Sequence, residues 1–268
     1  MKKLQFDYFM KIQYTVPATE CHFTIKCMPY TTARQEISDL NITLMPDDGY
    51  SEDRDSFGNK QIYGQIPEPH SEFYFHITGN AVTGLSDYEQ TESGELFPVF
   101  RYPHGMNCGG DHINTYYQSL ADSLSGLSDY EKGVVLMHAL YRDFTYEKNC
   151  TDMNTTAEEA WTLGKGVCQD YAHILIALCH LAKIPARYVT GMLIGEGYSH
   201  AWVEVYDSGR WYGLDPTNDL LVTDSHIRIG CGRDARDCMI NRGVMLGGGA
   251  QTQTISVSVS EQDNCATT

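Results

Sequence analysis

The stretch GKGVCQDYAHILIALCHLAKIPARY, Gly164 to Tyr188, constrains the fold of this chain more than any other. After a glycine break it reads as one helix, resuming near Cys168 and running to Ala182, with Ile174, Leu175, Leu178 and Leu181 at core spacing. Pro185 limits its end. The helix carries two cysteines in different situations. Cys179 lies inside the apolar run and reads as a small buried hydrophobe, whereas Cys168 falls at the helix start.

What precedes this helix reads first as β. FDYFMKIQYTV, HFTIKCMPY, EISDLNITLMP and EFYFHITGNAV are rich in Phe, Tyr, Ile, Thr and Val with partial period-two alternation. Turn-formers separate them, and no helical stretch intervenes, which predicts an antiparallel sandwich. DSFGN, Asp55 to Asn59, reads as a tight turn supplied by Gly58 and Asn59. From about Asn114 the period becomes helical, and Ser128 with Glu131 has the pattern of a capping box. After the long helix, ARYVTGMLI, SHAWVEVYD and RWYGLDPT read as strands, and QTISVSVS adds a last one with Ile255, Val257 and Val259 on one face. The division expected is a β domain over 1–85, a linker or site wall over 86–113, and an α+β region over 114–268 that keeps the last strand.

The formal charge, 19 − 35 = −16, disfavours phosphate backbones and anionic membranes and points to neutral or cationic substrates. No segment is long and apolar enough to span a bilayer, and the first residues lack the apolar core of a secretory signal. The nine cysteines show no short metal-site spacing. Neither a structural zinc nor another metal or cofactor is expected, and an odd thiol count reads as a reducing cytoplasm. No calcium loop appears, and Gly247 to Gly249 lack the residues of a phosphate loop.

A thiol attacks carbonyls as a thiolate, which a helix N-terminus and a neighbouring imidazolium both favour. GKGVC places Cys168 in a first helical turn, where unpaired backbone N–H groups can also hold an oxyanion. His200 lies on a period-two strand with Trp202 on the same face. The turn at Asp207 to Gly209 would fold the next strand back so that Asp215, stopped by Pro216, comes near His200. Each residue has a plainer reading: a core thiol, a sheet histidine, a turn aspartate. Occurring in order, each at an element end or on a strand, the three form a coherent nucleophile, base and orienting acid.

GVCQDYAHILIALCHLAKIPARYVTG, followed by SHAWVEVY and WYGLDPTND, closely resembles the core of the bacterial transglutaminase-like superfamily. The resemblance implies a papain-like α+β fold behind an N-terminal β-sandwich domain. It also implies a Cys-His-Asp triad of Cys168 in GVCQD, His200 in HAWVEV and Asp215 in LDPT. HIRIGCGRDARD is similar to a segment that follows the family core, and DSFGN resembles a motif of its N-terminal region, so most of the chain is covered. CMINRGVMLGGGAQTQTISVSVS matches only loosely, and no catalytic role is carried onto it.

Asp170 and His173 do not lie directly over Cys168 by helical geometry, and the resemblance implies site-shaping roles for them. Trp202 is grouped with them. Gln169 reads as a polar contact or plain surface, and Trp161 first as packing, second as a site wall or N–H donor. Arg233, Asp234 and Asp237 read as a charged turn. The function implied is thiol-dependent acyl transfer on a peptide, isopeptide or protein substrate, foremost as a cysteine protease or amidase. The alternatives are a protein-glutamine transglutaminase or deamidase with the same triad, and a non-catalytic binding module.

Overall fold

A computed structural model describes residues 1–90 and 97–262; Cys265 and part of the linker expected over 86–113 lie outside the described residues. The spine of the first sheet is β1 (Lys2–Ile25), whose alternating burial turns Leu4, Phe6, Tyr8, Met10 and Ile12 inward. It is followed by β2 (Gln35–Met45), β3 (Ser51–Arg54), β4 (Lys60–Ile66), β5 (His70–Thr83) and the short β6 (Tyr88–Gln90). The first half of β1 pairs with β5 and its second half with β4, all antiparallel, with a register shift between Gln13 and Ala18. The single sheet curls, so its two arms share one core: Phe23 and Phe73 come from opposite arms, with ring centroids 5.3 Å apart. Sandwich-like layering thus arises from one bent sheet.

The helical layer holds α1 (Asp111–Leu120), α2 (Asp129–Asp143), α3 (Ala157–Leu163) and α4 (Cys168–Leu181); β7 (Thr145–Tyr146) and β8 (Lys165–Gly166) pair beside it. Ser128 caps α2 as its spacing predicts: the Glu131 N–H donates to Ser128 Oγ (3.3 Å) and the Ser128 N–H to Glu131 Oε2 (2.8 Å). α4 is buried continuously from Asp170 to Cys179, with Leu175 and Leu178 sharing a core with Val203, Val205 and Leu214.

Beyond α4 come β9 (Ala186–Leu193), β10 (Gly195–Gly197), β11 (His200–Asp207), β12 (Arg210–Asp215), β13 (Leu220–Leu221) and β14 (His226–Gly232). They form a second antiparallel sheet in the order β13-β12-β11-β9-β14, except that β10 joins the first sheet. The last strands, β15 (Asn241–Gly247) and β16 (Gln251–Glu261), correct the expected division. They do not stay with the region 114–268. β16 runs beside β1 from Leu4↔Glu261 to Tyr14↔Gln251, and β15 flanks the other half of β1. Val257 and Val259 complete the core face of β1, and burial of that face decides sheet membership over proximity in sequence.

Two side-chain amides lock the sheets together. Gln35 brackets Arg228, donating to its carbonyl and accepting from its N–H, both at 2.8 Å. Asn59, delivered by the DSFGN turn, does the same to Cys231 at 2.7 Å. Both grip β14. Among the described residues no helix is long and apolar enough to cross a membrane.

Candidate active site

Local chemistry fixes the start of α4. Gly164 ends α3 in the left-handed region, φ 74°, where glycine carries no Cβ penalty. At Gly166 a Cβ would lie 2.5 Å from Asp170 Oδ2, so only glycine admits that carboxylate. Asp170 Oδ2 then accepts from the Val167 N–H and from Thr151 Oγ1, both at 2.7 Å, which closes the first turn. Cys168 is left half-buried as the first residue of the helix, where its own N–H and that of Gln169 have no intrahelical acceptor.

The turn after β11, with Ser208 (φ 50°) and Gly209 (φ 86°), folds β12 back in register, Val203 opposite Leu214. Asp215 therefore ends β12 beside His200, which begins β11, and the His200 Nε2–H donates to Asp215 Oδ2 at 2.8 Å. That leaves Nδ1 as the nitrogen available to Cys168, which lies close enough to the ring to influence its charge. Burial alone would pull the imidazole pKa down, but its interactions with Asp215 and Cys168 outweigh this and push it up to about 10. The structure thus brings Cys168, His200 and Asp215 together.

Asp215 has no solvent exposure, and its carboxylate is saturated. Oδ1 accepts from the N–H groups of Thr217 (3.0 Å) and Asn218 (3.3 Å), and Oδ2 also accepts from Asn218 Nδ2 (2.8 Å). A second histidine, His226 at the start of β14, donates to Oδ2 from Nε2 at 3.1 Å. Burial favours the neutral acid, yet the two histidines and these donors hold the carboxyl far below the usual carboxylate range. Burial pulls the His226 pKa down, so this ring serves as a neutral donor. Sequence reasoning missed His226 and Asn218. His226 reaches the acid only through the pairing of β14 with β9, and no local pattern announces that register.

His200, Asp215 and His226 each place one ligand atom within 4.8 Å of the others, the geometry of a small metal site. The Oδ2 lone pairs are already engaged by three N–H donors, so the arrangement is complete as a hydrogen-bonded network.

The remaining expected residues divide. Trp202 is buried on the face of His200, ring centroids 6.3 Å apart, and stands edge-on to His226 at 5.2 Å. It fits because Gly191 lies below it: a Cβ there would come within 2.4 Å of the indole. His173, fully buried, accepts from the Ala235 N–H at 3.1 Å, and burial holds its pKa down at about 4. It ties α4 to the GRDARD segment rather than facing the thiol. Trp161 packs against Tyr116 and Phe144 at 4.2 and 6.1 Å. Gln169 is half-buried and lines a cleft of about 660 Å³ beside the triad, together with Ser199. Within GRDARD, Arg233 pairs with Asp237 (2.8 Å), whereas Asp234 is buried and accepts from His104 Nδ1 (3.1 Å) and the Met106 N–H (3.3 Å).

Below Trp202, the strand that presents His200 is anchored by buried charge. Glu204, 1% exposed, accepts from Arg187 Nε at 2.6 Å and lies 3.6 Å from Arg34 and 3.7 Å from Arg228. Glu89 of β6 closes the cluster against Arg187 (3.1 Å) and Arg228.

Residues 118–216 match the transglutaminase-like superfamily and residues 5–82 the bacterial transglutaminase-like N-terminal region. An uncharacterized protein of Mycobacterium tuberculosis (strain H37Rv) is 37% identical over 264 residues, covering 86% of this chain and 83% of the relative. One of Mycobacterium leprae is 26% identical over 266 residues, covering 92% and 94%. The crystal structure of a candidate cysteine protease from Cytophaga hutchinsonii superposes with a TM-score of 0.78 at 23% identity, over 98% of this chain and 91% of that one. At that identity the likeness is one of fold.

Proposed function

The chain belongs to the transglutaminase-like superfamily, and from that membership and the geometry of its triad we propose that it is a cysteine protease or amidase. One observation carries the reading: a helix-terminal thiol beside a histidine whose Nε2 is held by a buried, saturated carboxylate.

In this mechanism the Cys168 sulfur, paired with the His200 imidazolium, attacks the carbonyl carbon of an amide. The oxyanion forms beside the free N–H of Cys168, where the helix dipole also favours negative charge. His200 passes its Nδ1 proton to the departing amine, and a thioester remains on Cys168. A water then loses a proton to His200 and attacks the thioester, which releases a carboxylic acid and returns Cys168 and His200 to their starting state. Asp215 stays ionised throughout and keeps His200 in the productive tautomer. Water is favoured over an amine as the second nucleophile because it is abundant and Gln169, next to the half-buried thiol, lines an open cleft that admits it.

Peptide, isopeptide and glutamine-amine substrate pairs, assayed side by side, test the proposal. Hydrolysis is expected, with a thioester trapped on Cys168 by acid quench and mass spectrometry and no turnover in Cys168→Ala. Amine incorporation in preference to hydrolysis would make the enzyme a transglutaminase. Turnover by Cys168→Ala would end the thiol mechanism.

A further inference from the structure

The cleft beside the triad carries a charge opposite to that of the chain. Its walls include Met10, Arg242 and Gln253 from the first sheet, Gln169 and Ser199 next to the catalytic pair, and Arg236 from the segment between the sheets. None of the described residues lining it is acidic, although the chain has 35 acidic and 19 basic residues. Arg236 and Arg242 are both exposed. Neither guanidinium has an ion-pair or hydrogen-bond partner among the described residues, in contrast to Arg34, Arg187, Arg228 and Arg233. The acids nearest in sequence are both engaged: Asp237 pairs with Arg233, and Asp234 is buried with its oxygens taken by His104 and by the N–H groups of Met106 and Arg236.

We infer that the acyl donor is an acidic peptide, whose carboxylate is received by Arg236 and Arg242 while its amide reaches Cys168. The inference rests on the thiol-enzyme reading above. A guanidinium fork matches a carboxylate in bidentate geometry, and a free one in a cleft can exchange its water for that ligand. The net charge of −16 argues for neutral or cationic substrates only at long range. At physiological ionic strength charges beyond about 8 Å are largely screened, so the nearest groups set the potential inside the cleft.

Alkylation separates the two ideas. Iodoacetate and iodoacetamide differ in charge at nearly equal size, and peptide mapping reads their rates at Cys168 and, within the same molecule, at the exposed Cys108. The iodoacetate-to-iodoacetamide ratio is expected to be about three- to fivefold higher at Cys168, the factor for one favourable charge contact in a solvated cleft. Arg236→Gln with Arg242→Gln should remove that preference while iodoacetamide still reaches the thiol. Peptide amides matched as Glu and Gln versions should show the same ordering in kcat/KM. Rapid iodoacetamide reaction at Cys168 with no iodoacetate preference, and equal kcat/KM for the Glu and Gln peptides, overturns the acidic substrate and leaves the enzyme standing. Slow alkylation of Cys168 by both reagents, no faster than at Cys108, overturns the enzyme reading and the inference with it.

Discussion

Asp215→Asn replaces one oxygen of the most heavily bonded carboxylate among the described residues with an NH₂ group at almost constant volume. Three donors converge on Oδ2, from His200, Asn218 and His226, and two backbone N–H groups on Oδ1. The amide keeps one acceptor oxygen. If that oxygen faces Thr217 and Asn218, the new NH₂ meets the two imidazole N–H groups. Leaving such buried donors unpaired costs about 1–3 kcal/mol of stability. The larger effect falls on His200. Its pKa stands at about 10, and the distance from the ordinary 6.5 corresponds to about 5 kcal/mol of imidazolium stabilisation, shared between Asp215 and Cys168. With the carboxylate gone, the burial that lowers the pKa loses its main opponent, and the His200 pKa should fall. At pH 8 the protonated fraction of the ring then drops, so the proton donor for the leaving group is depleted and kcat/KM should fall by at least about tenfold. NMR titration of the His200 ring and kcat/KM at pH 8 both read this. A His200 that still titrates near 10 in the variant, or an activity within threefold of the parent, would refute the assignment of Asp215 as the group that holds the imidazolium.

Glu204→Gln leaves three buried guanidiniums facing one partly exposed carboxylate, Glu89, and should cost about 3–5 kcal/mol in urea unfolding; a loss under 1 kcal/mol would show the cluster to be energetically idle. Asn59→Ala removes both bonds to Cys231 and orphans a buried N–H and carbonyl, a predicted loss of about 2 kcal/mol by the same measurement. A neutral result would mean the turn does not brace β14. Stability should also fall toward acid through His173. Its folded pKa of about 4 lies below the unfolded 6.5, so only the unfolded chain takes up the proton between those values, which removes about 3 kcal/mol as pH falls from 6.5 to 4. His200 has the opposite sign: its raised pKa stabilises fully below 6.5, and that contribution is lost as pH rises toward 10. An acid limb of equal slope in His173→Gln would contradict the first assignment.

Much of the site was legible because its determinants are local. The glycine break before Cys168, the period of α4 and the Ser-Gly turn that folds Asp215 back toward His200 each involve a few neighbouring residues. Asp170 was legible as a helper but not in its role. Its carboxylate closes the helix start through Val167 and Thr151, a contact that depends on the preceding loop. His173 was grouped with the site and instead binds Ala235, far away in sequence.

By itself the sequence determined the order and type of the elements, the helix-terminal position of the thiol, and the three residue types in the order Cys, His, Asp. Backbone periodicity and turn chemistry act over a few residues and can be read along the chain. Only the tertiary structure decided that β16 lies beside β1, that His226 bonds Asp215, and that two unpaired arginines line the cleft of an acidic protein. Each of these depends on which distant apolar faces bury one another and in what register, a choice made by the whole core at once.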